Sequence, residues 1–501
     1  MSSMTETSPG AAASKSMRRG AMKDPTHIEL LPYRADIAER FGAVAAEPWA
    51  ALLDSNADRP GGGRWDILVL APRETLCTVG DATEIRHGNR RRRSHADPMD
   101  LLRCALGPRV EAAAASELGL PFVGGAIGWL GYDLARRFER LALRTPLPVG
   151  VPQLAVGIYD WALLVDHQQR ASYLVGQGDP ADPRRQRLLQ LVERRGPTRH
   201  PPFKVVGPLV SDMDHAGYAR RFTAVQDYIR AGDCYQVNLA RRWRVHVTGD
   251  PWTAYRRLRQ INPAPFAAYL NTPAMQVLSA SPERFLALRD GRVETRPIKG
   301  TAARHPDPQR DRRLAAGLMA SVKDRAENLM IVDLLRNDLG RCCETGSIAV
   351  PELFQVASYA GVHHLVSTVT GRLRPDADAP ALLRACFPGG SITGAPKIRT
   401  MQIIDALETA PRGVYCGAIG YIGFDGAMDT NIAIRTAAVS NGVLDFRAGG
   451  GLVADSDCDG ELSEIALKAR AMLELVASFG AHAGPASAKD RGPVQLCSDS
   501  V

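Results

Sequence analysis

Residues Cys234 to Val247 alternate between apolar and polar positions, while Tyr218, Phe222, Val225 and Ile229 just before them recur at helical spacing. The first pattern buries one side of a strand and the second one face of a helix, so the chain predicts a helix followed by a strand. Ser211 is a suitable N-cap for that helix, and Gly232 a suitable stop. Further strands are expected at Val277 to Leu288 and Arg292 to Ile298, joined as a hairpin by Asp290-Gly291, a dipeptide that accepts the positive φ angles of a type I′ turn. Tyr359 to Thr368, Cys416 to Phe424, Asp429 to Val439 and the residues after Gly442 also read as strands. Helices are expected from about Arg312 to Leu335, after Pro396, and from about Gly460 to Ala477. Hairpins alternating with helices predict an α+β fold of mostly antiparallel or mixed sheets.

Two blocks carry these elements. The first spans 26–200 and ends in a Pro-rich connection around Arg195 to Pro202; the second spans 212–480. Residues 1–25 and 481–501 have the small, polar composition of disordered tails.

With 501 residues, 45% of them hydrophobic and 23% charged, the chain can bury a large core. It has no apolar run long enough to cross a membrane and no apolar signal core near Met1, so a cytoplasmic protein without a membrane partner is expected. Nine scattered cysteines without a Cys-x-x-Cys pair read as reduced thiols rather than as disulfides or a zinc site. The net charge of +8 concentrates at Arg90-Arg91-Arg92-Arg93. No aromatic residue is interleaved there for base stacking, so the run reads as a solvated basic loop and nucleic acid is not an expected partner.

Chemistry gathers in the second block. Counting back from the Asp290-Gly291 turn sets Pro282 opposite Lys299, with Glu283 beside them, so an amine and a carboxyl group meet at one sheet end. The pair is either an ordinary surface ion pair or a nucleophile with its proton donor. Asp324 and Glu327 stand three residues apart on one helix, and Glu461 and Glu464 repeat this on another, with Lys468 one turn further. Such pairs either face solvent or offer hard oxygen ligands to Mg²⁺, which takes one or two protein carboxylates.

Gly449-Gly450-Gly451 would let backbone amides approach an anion closely. A second glycine loop, Phe387 to Lys397, either supports a substrate pocket or caps the helix that follows; it lacks the ending of a nucleotide P-loop. His363 and His364 should point to opposite faces of their strand. Tyr421 and Arg435 form either a carboxylate clamp or part of a sheet edge.

In order along the chain, Gly232 to Leu239, Ser281 to Phe285, Pro297 to Thr301, Glu327 to Asp338, Gly389 to Lys397 and Gly449 to Lys468 resemble the motifs of the chorismate-utilising enzymes. Gly124 to Asp133 is similar to that family's N-terminal signature. The resemblance implies one compact body, two sheets packed across a core with helices outside, as in anthranilate synthase component I. It implies Mg²⁺ on Glu327 and Glu464, with Asp324 and Glu461 nearby, receiving the ring carboxylate of chorismate. It also implies Tyr421, Arg435 and the Gly449 to Gly451 amides around the enolpyruvyl carboxylate, His364 and Thr301 along the ring, and Lys468 as a further substrate-binding residue.

Lys299 stands where the anthranilate synthases usually carry Ala and the aminodeoxychorismate synthases carry Lys, which implies attack by this amine on ring carbon 2 while Glu283 protonates the departing 4-hydroxyl. Gln236 replaces the water-activating Lys of the isochorismate synthases, which favours ammonia over water as nucleophile. No Gly-x-Cys-x-Gly turn of a glutamine amidotransferase is present, so a separate glutaminase partner or solution must supply ammonia. Leu52-Leu53-Asp54-Ser55 is similar to a tryptophan-binding segment of anthranilate synthases, with Asp where Glu is usual, which weakens the expectation of regulation by tryptophan.

Overall fold

The computed structural model describes residues 26–57, 62–139, 141, 145–194, 196, 198–358 and 362–480, so both tails lie outside the described residues. Two sheets of twelve strands each dominate. In the first, Thr26–Leu31, Ala171–Gln177, Trp161–Asp166, Trp65–Val69 and Ala51–Asp54 continue into Phe266–Asn271, Gln276–Ser281, Thr436–Ser440, Val443–Leu452, Gln236–Thr248 and Lys204–Ser211. The second runs from Ile298–Ala303 through Val362–Arg372, Arg292–Thr295, Arg284–Arg289, Met428–Ile432 and Ala418–Gly423 to Gly125–Leu130 and the remaining strands of the first block. Both sheets therefore take strands from both sequence blocks.

One apolar cluster draws Leu164 and Val277 from the first sheet and Ile127 and Ile419 from the second, so it fills the space between them. Helices His215–Arg230, Pro251–Ile261 and Cys458–Ala477 cover the outer face of the first sheet. Pro98–Leu106, Val322–Gly340 and Ala379–Cys386 cover that of the second. This is the expected two-sheet α+β architecture.

The departures from the sequence expectation matter for function. Val277 to Leu288 is two strands: Gln276–Ser281 belongs to the first sheet and Arg284–Arg289 to the second, with Pro282-Glu283 as the crossing. Asp429 to Val439 divides in the same way around Ala433 to Arg435, where Arg435 takes a left-handed φ of 49°. Proline withholds a ladder donor at one crossing, and the left-handed residue turns the strand at the other. Their backbones are bonded together: Ile432 N donates to Glu283 O at 3.0 Å, and Ala280 N to Arg435 O at 3.0 Å.

The long helix is also two, Pro308–Ala320 and Val322–Gly340; Ser321 is extended between them and its hydroxyl caps the second through Asp324 N. The helix near 211 is capped by Asp214, since Ser211 ends a strand. Arg90–Ser94 is an edge strand paired with Ala82–His87, rather than a loop. Charged side chains on such an edge discourage a further strand from adding to it.

Candidate active site

Lys299 reaches the site by a route other than the one its sequence position suggests. Pairing in the 284–295 hairpin ends at Ala287 with Glu294, so Pro282 does not face Lys299. The lysine instead pairs with Leu365 on Val362–Arg372, and the register slips between Lys299 and Thr301. Gly300 occupies this bulge with φ of 81°, and a Cβ there would stand 2.9 Å from Asp324 Cγ. Only glycine meets both demands, a left-handed backbone and close approach of a helix. The bulge delivers Lys299 Nζ to Glu327 Oε1 at 2.6 Å.

Glu327 lies against the glycine strand: a Cβ on Gly451 would be 3.2 Å from its Oε1 and 2.9 Å from Gln236 Nε2. Gly449, Gly450 and Gly451 pair on one side with Ala240, Leu239 and Asn238. On the other side the neighbouring strand pairs no further than Phe446, which leaves that edge of the glycine run without a partner strand among the described residues. The acids lie over the faces of the run, where a Cβ on Gly450 would stand 2.9 Å from Glu461 Oε2. Lys468 Nζ donates to Gly449 O at 3.2 Å and to Glu464 Oε1 at 2.6 Å.

The four metal candidates separate into distinct environments. Burial pushes Glu464 upward, but Lys468, Lys299 and Lys323 outweigh it and hold the carboxyl below its ordinary value, ready to act as an anionic ligand. Glu461 moves the other way, through burial and its neighbour Glu464. Its Oε1 accepts from Ser456 Oγ at 2.6 Å, and its buried Oε2 has no hydrogen-bond partner. Asp324 rests against Gly300. Among the described residues no three Asp, Glu, His or Cys side chains converge closely enough to chelate an ion unaided. Two carboxylates with remaining positions open to water and substrate is nonetheless the donor set Mg²⁺ commonly takes. Glu327 and Glu464, each held by a lysine, and the unpartnered Glu461 Oε2 fit that chemistry.

Glu283 is the acid of the sheet crossing. Ser391 Oγ donates to its Oε1 at 2.9 Å, and Ile298 N–H adds a second donor. Burial nevertheless dominates these bonds and the positive field of Lys299 and Lys468, and pushes the carboxyl up to about 7. A carboxyl poised there can give up a proton near neutrality.

At the other crossing, burial and the charge of Arg470 lower the affinity of Arg435 for its proton, while Glu283 opposes them. Arg435 Nη1 donates to Asn262 Oδ1 at 3.2 Å. His364 is buried beside it; burial first and then Arg435 bring the imidazole down to about 4, so it is neutral at pH 7. Thr301 Oγ1 and His364 Nδ1 are 3.0 Å apart. His363 points the opposite way, to Asp311 and Ser358, as strand alternation requires.

Tyr421 is not brought to this site. It packs edge-to-face on Phe122 in the cluster between the sheets, and burial, Asp429 and Asp425 raise its hydroxyl pKa. Its strand alternates as expected, but the phenol turns to the inter-sheet core, away from the face covered by the helix of Glu327. Asp54 of the Leu52 to Ser55 segment is buried and already bonded by Tyr255, Arg259 and Asn56 N.

The sequence reading passed over Ser391. A hydroxyl in a glycine loop was its only signal, and its role comes from the scaffold: Asn238 and Arg412 both bond Ile392 O and fix the loop under Glu283.

A model of the family described as chorismate binding enzyme matches residues 57–474. Aminodeoxychorismate synthase component 1 of Klebsiella aerogenes is 47% identical over 463 residues, covering 91% of this chain and 100% of that protein. The protein of the same name from Escherichia coli strain K12 is 47% identical over 442 residues, covering 88% and 96%. The crystal structure of anthranilate synthase component I from Streptococcus pneumoniae TIGR4 superposes with a TM-score of 0.73 at 31% identity, covering 82% of this chain and 92% of that one. With its motifs assembled around one seam and a family match across most of its length, the chain belongs to the chorismate binding enzymes.

Proposed function

We propose that the protein is component 1 of an aminodeoxychorismate synthase, converting chorismate and ammonia to 4-amino-4-deoxychorismate, a precursor of p-aminobenzoate and folate. The observation that carries this reading is Lys299, delivered by the Gly300 bulge into the group that holds Glu327, Glu464 and Glu283. The extent of the similarity to the Klebsiella and Escherichia proteins supports it.

In the first half-reaction the neutral Lys299 amine forms a C–N bond at ring carbon 2, both ring double bonds shift around the ring by way of carbons 1, 6 and 5, and the C–O bond at carbon 4 breaks. Glu283 gives its proton to the departing hydroxyl, which leaves as water. Ammonia then forms a C–N bond at carbon 4, both double bonds shift back, the bond to Lys299 breaks to leave the neutral amine, and the proton shed by nitrogen restores Glu283 to its acid form. Ammonia and chorismate are consumed, and aminodeoxychorismate and water result.

Glu327 and Glu464 would hold Mg²⁺, which supplies positive charge against the ring carboxylate. Glu461 and Asp324 support these acids from the same helices. Arg435 and the free edge of Gly449 to Gly451 receive the enolpyruvyl carboxylate, while neutral His364 and Thr301 line the ring. Lys468 keeps Glu464 anionic and ties it to the glycine strand. A second component with glutaminase activity would supply ammonia in a soluble, cytoplasmic assembly; no helix among the described residues is long and apolar enough to cross a membrane.

The test is product identification with purified chain, chorismate, Mg²⁺ and ammonium. A product that an aminodeoxychorismate lyase converts to p-aminobenzoate is expected. Fluorescent anthranilate would instead place the chain with the sister synthases.

A further inference from the structure

Asn262 holds the guanidinium of Arg435, and the proposed reaction gives that asparagine no part. Helix Pro251–Ile261 is anchored on the first sheet by buried Trp252, Tyr255 and Leu258, and it stops where Pro263 disfavours helical backbone in the residue before it. Asn262, at φ of −137° and ψ of 72°, gives its backbone N–H to Leu258 O at 2.8 Å. Its side chain turns to the strands beside the two sheet crossings.

A closed ring of hydrogen bonds results. Arg435 Nη1 donates to Asn262 Oδ1 at 3.2 Å, Asn262 Nδ2 donates to Ala280 O at 3.1 Å, and Ala280 N donates to Arg435 O at 3.0 Å. A guanidinium only donates and a carbonyl only accepts, so the amide has one workable orientation, oxygen toward Arg435 and nitrogen toward Ala280. The asparagine thus ties the guanidinium to the end of a packed helix and to the seam that also carries Glu283.

The neutrality of this partner matters as much as its position. Among the described residues no carboxylate stands within ion-pair distance of Arg435. Glu283 is an acid whose charge reaches it, and burial holds that carboxyl toward its neutral form, while Arg470 adds a second positive charge. An aspartate of the same shape at 262 would neutralise the guanidinium and would set an oxygen against Ala280 O. An amide aims the guanidinium and leaves its charge for an incoming anion.

We propose that Asn262 is a positioning residue for substrate binding, which aims Arg435 into the site and leaves its charge unpaired for a substrate carboxylate. The inference rests on the reading that Arg435 receives the enolpyruvyl carboxylate. Asn262 acts through Arg435, so its contribution to binding should vanish when the guanidinium is removed.

Calorimetric titration of chorismate into the full chain, with Mg²⁺ and without ammonia, reads binding apart from the identity of the product. Arg435→Ala should weaken binding by about thirtyfold, and Asn262→Ala by about fivefold or more. In the Arg435→Ala background, Asn262→Ala should change the dissociation constant by less than about twofold, whereas a general packing defect would lower affinity equally in both backgrounds. Asn262→Asp keeps the shape and should bind about fivefold more weakly still than Asn262→Ala, because it neutralises Arg435. With ammonium present, Asn262→Ala should raise KM in step with the dissociation constant and lower kcat far less. Equal losses in the two backgrounds, or an Asn262→Asp protein that binds more tightly than Asn262→Ala, would overturn the positioning role and leave the reading of Arg435 in place. An Arg435→Ala protein that binds chorismate as the wild type does would overturn both.

Discussion

The sheet crossing and the two helices each present carboxyl groups to one site, and they hold them in opposite states. Glu283 at the crossing is buried among backbone and a serine hydroxyl, and burial pushes it up to about 7. Glu464 on its helix is also penalised by burial, yet three lysines hold it below its ordinary range. One residue type is thus held toward its neutral form in one place and toward its anionic form in another, the states that the proposed proton donor and the proposed metal ligand require. The deciding difference is depth: Lys299 and Lys468 act on both carboxyls, but Glu283 is 6% exposed while the Glu464 side chain is 47% exposed, and only the shallower burial penalty is outweighed by the ammonium groups. The contrast matches the proposed division of labour, with acid chemistry on the seam between the sheets and cation binding on the helices.

Removing the amine should break the contrast most severely. Lys299→Ala is expected to lower amination by on the order of 10⁴-fold or more in a steady-state assay, since the nucleophile and the partner of Glu327 are lost together. Retained activity would remove the covalent role.

Glu283→Gln should cost roughly 10³-fold in turnover, because the proton donor is gone while its shape remains. The same variant should gain stability at alkaline pH. The native state holds a proton that the unfolded chain releases near 4.5, so wild-type stability falls as pH rises from there to about 7. Above that range the variant should be more stable by on the order of 3 kcal/mol in denaturant unfolding, and the gap should close below pH 4.5.

Glu464→Gln tests the other half of the comparison. It should raise the Mg²⁺ concentration for half-maximal activity by roughly tenfold or more, while the alkaline limb of kcat/KM, set by Glu283, stays in place. The smallest effect is expected for Ser391→Ala. Losing its hydrogen bond to the carboxylate should move the alkaline limb of kcat/KM upward from about 7 by about half a unit to one unit.

Much of this was legible in the chain. Helical spacing placed Glu327 with Asp324 and Glu464 with Glu461, because a residue three positions on returns to the same face. The glycine run stood out by composition and Lys299 by its place in the Pro297 to Thr301 motif, although the register counted from the Asp290-Gly291 turn set it opposite Pro282 and not Leu365. The crossings at Pro282-Glu283 and at Arg435 were not legible, since alternation gives the face of a strand but not the sheet to which each half belongs. Tyr421 was misplaced for a related reason: a strand between two layers has two buried faces, and periodicity does not say which meets the substrate. Ser391 depends on contacts from Asn238 and Arg412, residues far away in sequence. Its role becomes visible only once the loop is folded.

The protonation of Glu283 is the point on which the comparison turns, and difference infrared spectroscopy of the free enzyme reads it directly. A protonated-carboxyl band that titrates near pH 7 and is missing from Glu283→Gln is the predicted result. A wild-type enzyme without that band at pH 6, with Glu283 already ionised, would contradict the account.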